Sequence, residues 1–177
     1  AEVLMDIIYL GLMFCEDSLS NEFKMAKKAV AMAPHKFQTS LLRGLEGQED
    51  VRLSVVHIPP TGSFPINSRQ VISPSYKWGK NNYQIGYINL PWIKHEFQRV
   101  SLYRQVRGRI VDPANTCIIL YSLYEPFLKI VWKIKKEFPT ITVCLLHTDA
   151  VPGRDDMEKY MTPAARRRGD RAVRLAK

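Results

Sequence analysis

The chain has 177 residues, 46% of them hydrophobic and 24% charged, with a formal net charge of +9. These values are typical of one globular domain with a full hydrophobic core, and they exclude disordered and collagen-like chains. The first apolar segment, residues 3–14, is interrupted by Asp6, is too short to cross a bilayer and lacks the flanks of a signal peptide. We therefore expect a cytoplasmic protein.

Strand-like and helix-like segments alternate along the chain. Apolar segments rich in β-branched residues predict strands at residues 6–14, 51–58, 117–122 and 140–148. Apolar residues at helical spacing predict helices at residues 35–47, 92–107 and 127–138. In the first of these helices we expect Phe37, Leu41 and Leu45 to share the apolar stripe. A shorter helical segment before it, ended by Pro34, is either a flap or a surface helix.

Residues 59–91 have a different composition, rich in Pro, Asn, Ser and Tyr. Such a composition is typical of turns and loops. Two β-like segments, 70–72 and 83–88, stand on either side of a turn at 79–82. We interpret this region as a small hairpin insertion.

The alternation of strand and helix predicts the α/β class. The expected fold is a three-layer Rossmann-like domain with a mostly parallel sheet and right-handed crossovers. The last strand has an apolar run at 143–146, which predicts burial on both faces. We assign residues 1–161 to this domain and residues 162–177 to a basic helical tail. No GxGxxG or GxxxxGK[ST] motif occurs, which argues against a dehydrogenase or an NTPase.

Three cysteines, Cys15, Cys117 and Cys144, lie on or beside apolar segments, without the spacing of a CxxC motif. An odd number of cysteines in a cytoplasmic chain indicates free buried thiols rather than disulfides. The histidines upstream of the last strand have no second ligand at metal spacing, so we expect no metal site.

Polar side chains follow two of the predicted strands where each strand ends. His147 and Asp149 come after the last strand, and Ser122, Tyr124 and Glu125 follow the strand before it. Ligands of open α/β sheets bind beyond the carboxyl ends of the strands, so these residues are candidates for one site. A histidine can accept a hydroxyl proton near neutral pH, and an aspartate can orient it. The alternatives are a histidine bonded to backbone, an aspartate that caps a helix, and a tyrosine in the core.

Lys36 and Phe37 stand at the beginning of the helix that follows the first strand. A lysine beside free helix-end amides can attract an anionic group, although a solvated lysine is an equally ordinary outcome. Trp78 and Trp92 can either stack on a ring-shaped ligand or pack in the core.

Four segments in order resemble one enzyme family. HKFQTSLLRGLEG, YQIGYINLPWIK, CIILYSLYEP and VCLLHTDAVPG followed by EKYM are together similar to the acceptor-side domain of family-four-like bacterial glycosyltransferases. The similarity extends over residues 7–161. The loop after the first strand reads CEDSLSNE, whereas many members of that family have a Gly-Gly turn there.

The resemblance implies a function for the polar strand ends. It implies that the chain is the acceptor-binding half of a glycosyltransferase of polysaccharide biosynthesis, acting on a cell-envelope or lipid-linked saccharide. His147 and Asp149 would be catalytic, and Lys36, Phe37, Ser122, Tyr124 and Glu125 would bind substrate. The sugar nucleotide would bind to a missing C-terminal domain carrying an E-x7-E motif. We therefore expect no cofactor on this chain and no turnover by it alone.

The C-terminal tail is strongly basic. From residue 154 onward there are eight basic and four acidic residues, and Arg167, Arg171 and Arg174 are spaced i, i+4, i+7. A helix here would carry a cationic stripe that attracts the inner face of the cell membrane, packs on the missing domain or stays solvated. The alternative function is a non-catalytic Rossmann-like module that docks through this tail on nucleic acid or anionic lipid. The chain has no RNP-like motif, which makes nucleic acid the weaker partner.

Overall fold

A computed structural model of the chain describes residues 4–15, 19–27 and 32–146. The strands are β1 (Met5–Leu12), β2 (Val51–Ile58), β3 (Ile72–Ser73), β4 (Tyr76–Trp78), β5 (Asn82–Gln84), β6 (Tyr87–Ile88), β7 (Thr116–Tyr121) and β8 (Thr142–Leu146). The helices are α1 (Leu19–Met25), α2 (Ala33–Glu46), α3 (Lys94–Arg107) and α4 (Glu125–Glu137).

Six of the strands form one mostly parallel sheet in the order β4-β5-β2-β1-β7-β8. Five strands run parallel to one another, namely β5, β2, β1, β7 and β8, and β4 pairs antiparallel with β5. β3 and β6 form a separate antiparallel ribbon. The predicted α/β class, the mostly parallel sheet and the hairpin between β2 and α3 are confirmed.

The central strand β1 has apolar residues on both of its faces, and helices cover both faces of the sheet. Ile8 and Leu10 pack in a large core with residues of α3 and α4, such as Leu102 and Phe127. Tyr9 packs in a smaller core on the opposite face, with residues of α2. These two cores make the three layers of the predicted fold, because each core joins the sheet to its own helices.

The predicted burial of the last strand is wrong. Among the described residues β8 is an edge strand that pairs with β7 alone, and Leu145 is 40% exposed. An apolar run indicates strand propensity, but it cannot show whether the strand has a neighbour on each side. The residues after Leu146, including His147 and Asp149, lie outside the described residues.

Two predictions about the first helices also need correction. The buried stripe of α2 consists of His35, Gln38 and Leu42, whereas Phe37 is 46% exposed. α1 ends at Met25, earlier than predicted, and Pro34 stands in the first turn of α2. A proline is tolerated there because its missing N–H would have no partner inside the helix. No helix in the described part of the chain is long and apolar enough to cross a membrane.

Candidate functional site

The ends of the parallel strands and the beginnings of the helices meet at one side of the sheet, which we call the carboxyl edge. β1, β2, β7 and β8 end here, and α2, α3 and α4 begin here, as parallel strands joined by helices require. Of the predicted substrate-binding residues, Lys36, Phe37, Ser122, Tyr124 and Glu125 all stand in segments of this edge. The catalytic candidates His147 and Asp149 lie outside the described residues.

Ser122 has an unusual backbone conformation at the end of β7. Its φ angle is 71°, in the left-handed region that non-glycine residues adopt at a cost of about 1 kcal/mol or more. Its N–H donates to the carbonyl of Leu146 at 3.0 Å, which joins the ends of β7 and β8. Leu146 immediately precedes His147 in the chain. The strain concentrates at a predicted site residue, as it commonly does at ligand sites.

Glu125 begins α4, pairs with Lys129 and is hydrogen bonded to His95. Its carboxylate lies 2.8 Å from Lys129 Nζ and 3.4 Å from His95 Nδ1. Burial raises the pKa of Glu125, but the hydrogen bonds and charges of Lys129 and His95 outweigh burial, so the pKa is lowered overall. The side chain is therefore a carboxylate at neutral pH and can accept hydrogen bonds from ligand hydroxyls.

Tyr124 packs between two helices. Its hydroxyl donates to Gln98 Oε1 at 2.6 Å, and its ring lies edge-on to Phe127 with centroids 5.2 Å apart. His95 contacts the same ring, at a centroid distance of 5.7 Å. Because the hydroxyl and the ring are both used in joining α3 to α4, Tyr124 holds Glu125 and His95 in position.

Lys36 and Phe37 lie in the first turns of α2, and both are exposed. The Phe37 ring lies 6.2 Å from the ring of Tyr121, the last residue of β7. Phe37 is thus close to the strand end that carries Ser122. The carboxyl edge therefore combines an exposed aromatic face, a hydroxyl and a carboxylate.

A cleft of about 260 Å³ runs along α2, next to the carboxyl edge. Its apolar walls come from Met13, Phe14, Leu42 and Trp78, with the buried Cys15 beside them. Its polar groups lie on α2 at helical spacing and are His35, Thr39, Arg43 and Glu46. None of the five predicted substrate-binding residues lines this cleft. The spacing i, i+4, i+8, i+11 of those polar residues was the sequence signal that could have revealed it.

Behind the cleft, a fully buried histidine joins the hairpin to the end of β1. Trp78 donates its indole N–H to His57 Nε2 at 2.9 Å, and His57 Nδ1 lies 2.9 Å from the carbonyl of Met13. Burial lowers the pKa of His57 to about 4; the bond to Met13 opposes this effect and His35 adds to it. His57 is therefore neutral, and it positions both Trp78 and the Met13 segment on the cleft wall.

Lys94 is buried at the beginning of α3. Its Nζ donates to the carbonyl of Thr61 at 2.6 Å and lies 5.4 Å from the centroid of the Tyr87 ring. Burial lowers the pKa of Lys94 to about 8. Thr61 Oγ1 and the Tyr87 hydroxyl are also hydrogen bonded, at 2.9 Å. This cluster fixes the loop after β2 against α3.

Within the described ranges, no group of three or more His, Cys, Asp or Glu side chains is arranged to hold a metal ion. No protein-family model, curated protein or solved structure matches the chain.

Proposed function

We propose that this chain is the acceptor-binding half of a glycosyltransferase that acts on a cell-envelope or lipid-linked saccharide in the cytoplasm. The observation that carries the proposal is that the carboxyl edge has an exposed aromatic ring, Phe37, which lies 6.2 Å from the Tyr121 ring, together with the strained Ser122 and the Glu125 carboxylate. The sugar nucleotide would be bound by a second domain.

The chemistry of this edge suits a saccharide. A sugar ring has an apolar face that stacks on an aromatic ring and hydroxyl groups that need donors and acceptors. Phe37 offers a half-exposed ring, and the Ser122 hydroxyl can donate or accept. Glu125 offers carboxylate oxygens whose position is fixed by Lys129 and His95.

The transfer step assigns a role to the residues that follow β8. In the reaction, an acceptor hydroxyl attacks the anomeric carbon, the bond to the nucleoside diphosphate breaks, and the hydroxyl proton must be accepted. His147 would accept this proton, and Asp149 would orient the imidazole. They follow β8 directly in the sequence, and β8 pairs with β7, the strand that immediately precedes Ser122; this order supports the assignment.

The proposal can be tested by saccharide binding. Purified protein is applied to an immobilised array of bacterial cell-envelope oligosaccharides, and the tightest interactions are measured by calorimetry. Phe37→Ala should weaken binding roughly tenfold, equivalent to about 1.4 kcal/mol, and Glu125→Gln should weaken it similarly.

The matched control is Val111→Ala, because Val111 is exposed beyond the end of α3, at the opposite edge of the sheet. It should leave binding unchanged. The proposal would be contradicted if the protein bound no saccharide on the array. It would also be contradicted if Phe37→Ala, Glu125→Gln and Val111→Ala lowered the saccharide affinity equally.

A further inference from the structure

Large apolar side chains are exposed along one side of α3 and on the adjacent ribbon of β3 and β6. Trp92 is 92% exposed, and Ile93, Phe97 and Val100 follow it at the spacing i, i+4, i+7. The N–H of Asn89 donates to the carbonyl of Val71 at 2.7 Å, which brings β3 beside the segment that leads into α3. We call the following side chains the apolar patch: Val71, Ile72, Trp92, Ile93, Phe97 and Val100.

The burial pattern of α3 explains why this face is open. The core-facing stripe of α3 is Lys94, Gln98, Leu102 and Val106, so the apolar patch occupies the opposite side of the helix. A helix that packs on a sheet normally has polar residues there. Contiguous exposed apolar surface with polar surroundings marks an interaction site in soluble proteins.

The charges around the apolar patch indicate which partner it fits. The exposed Arg69 precedes Val71, and the exposed Arg104 follows Val100 by one helical turn. Glu96, on the same side of α3, is ion-paired with Arg99. Because Glu96 is paired in this way, the exposed Arg69 and Arg104 give the border of the apolar patch a net positive charge.

We propose that the apolar patch docks the protein on an anionic lipid bilayer. Tryptophan is favoured at the boundary between headgroups and acyl chains, and flanking cations are attracted to anionic headgroups. A second copy of the chain fits less well, because joining two patches face to face would bring the Arg69 and Arg104 of each copy toward like charges.

The location of the apolar patch connects it to the carboxyl edge. Trp92 and Ile93 lie immediately before α3, which begins at that edge beside Glu125 and His95. Docking through these residues would hold the carboxyl edge near the headgroups. If the proposed function is correct, the acceptor is therefore a saccharide carried on a lipid; the docking itself does not depend on that function.

Vesicle co-sedimentation tests the docking. The probes are vesicles of phosphatidylcholine alone and of phosphatidylcholine mixed with phosphatidylglycerol. The protein should bind the mixed vesicles, and added salt should weaken the binding. The double variant W92A/F97A should lower the partition coefficient by at least tenfold, because two rings no longer enter the interface.

The matched control is Trp132→Ala. Trp132 is a tryptophan on α4, 53% exposed and covered by Lys136, whose Nζ lies 3.6 Å from the ring centroid. Its loss should leave vesicle binding within twofold. A variant with Arg167, Arg171 and Arg174 all changed to Glu tests whether the tail is needed for vesicle binding. Vesicle binding by this variant should still fall when Trp92 and Phe97 are changed to Ala.

Three results would overturn the docking: no binding to mixed vesicles, equal binding by W92A/F97A and wild type, or a dimer in solution that W92A/F97A dissociates. Should the double variant fail to fold, the W132F protein provides a second measurement. When the W132F protein binds mixed vesicles that contain brominated lipids, its tryptophan emission should be quenched. An absence of quenching would also overturn the docking. Saccharide binding is measured without vesicles, so either proposal can fail while the other stands.

Discussion

The indole N–H of Trp78 donates to His57 Nε2 at 2.9 Å, and this bond determines where the imidazole carries its proton. Because Nε2 must accept, the proton lies on Nδ1, which donates to the carbonyl of Met13 at 2.9 Å. A second proton on the ring would break the bond to Trp78. His57 therefore links the hairpin to the β1 end only while it is neutral.

This relationship predicts an acid-sensitive step in stability. The folded pKa of His57, about 4, lies below the ordinary value of 6.5, so its contribution is complete above pH 6.5. As pH falls from 6.5 to 4, His57 is protonated in the unfolded chain, whereas in the folded protein it stays neutral until the pH approaches 4. The free energy of unfolding should fall by about 3 kcal/mol from this residue alone.

Urea unfolding between pH 4 and pH 7 measures this effect. His57→Asn keeps a donor toward Met13 and removes the titration, so the variant should be less stable at pH 7 but lose less stability on acidification. If His57→Asn and the wild type show the same pH dependence, the assignment is wrong.

Gly11 and Gly44 provide a matched pair for testing the packing around Gln38. A Cβ at Gly11 would lie 2.8 Å from Gln38 Oε1 and 2.8 Å from Tyr9 Cε1, whereas a Cβ at Gly44 has no neighbour within 4 Å. Gln38 is fully buried, and its Nε2 donates to the carbonyl of Leu12 at 2.8 Å. Gly11→Ala should therefore lower the free energy of unfolding by about 1–3 kcal/mol.

Gly44→Ala should raise the free energy of unfolding by about 0.5–1 kcal/mol, because Gly44 lies inside α2 with open space around it. Thermal unfolding of both variants checks the pair. Equal changes at the two positions would show that neither Gln38 nor Tyr9 approaches Gly11 closely.

The three cysteines should differ in their reactivity. Cys144 is exposed, whereas Cys15 and Cys117 are buried. Burial, together with the neighbouring Cys144, raises the pKa of Cys117 to about 11, which leaves little thiolate at neutral pH. Titration with a thiol reagent on the folded protein should show one fast thiol and two slow ones. Cys144→Ser should abolish the fast phase, and its persistence in that variant would contradict the assignment.

Two substitutions at Ser122 distinguish the cost of its backbone conformation from the contribution of its hydroxyl to saccharide binding. Ser122→Gly should raise the free energy of unfolding by about 1 kcal/mol, because glycine adopts a positive φ without cost. Ser122→Ala keeps the strain, so its stability should match the wild type. Both variants lack the hydroxyl and should bind saccharide equally weakly. Wild-type affinity in either variant would remove Ser122 from the site.

The layer order of the fold could be predicted from sequence because strand and helix patterns alternate clearly. β1, β2 and β7 have β-branched and aromatic runs, and their positions fall within two residues of the predictions at residues 6–14, 51–58 and 117–122. The burial of β8 could not be predicted, since an apolar run does not show whether a strand has another strand on each side. The face of α2 was misjudged because Phe37 is more apolar than Gln38, yet Gln38 is buried where its amide has partners.

The candidate site could be predicted in outline but not in detail. Parallel strands place their ends together, so the position of Ser122 and Glu125 at one edge followed from the fold class. The contacts of Glu125 with His95, and of Trp78 with His57, join residues 30 and 21 positions apart. Such pairings depend on how the helices and the hairpin pack, and no local pattern in the sequence encodes them.

The most direct test of the carboxyl-edge assignment is a map of amide chemical shifts during titration with the tightest-binding oligosaccharide from the array. The largest changes should fall on the amides of Phe37, Ser122 and Glu125, while Val111 and Gly44 stay unchanged. Largest changes along the cleft, at Thr39, Arg43 and Trp78, would instead place the saccharide beside α2 and contradict the assignment of the acceptor site to the carboxyl edge.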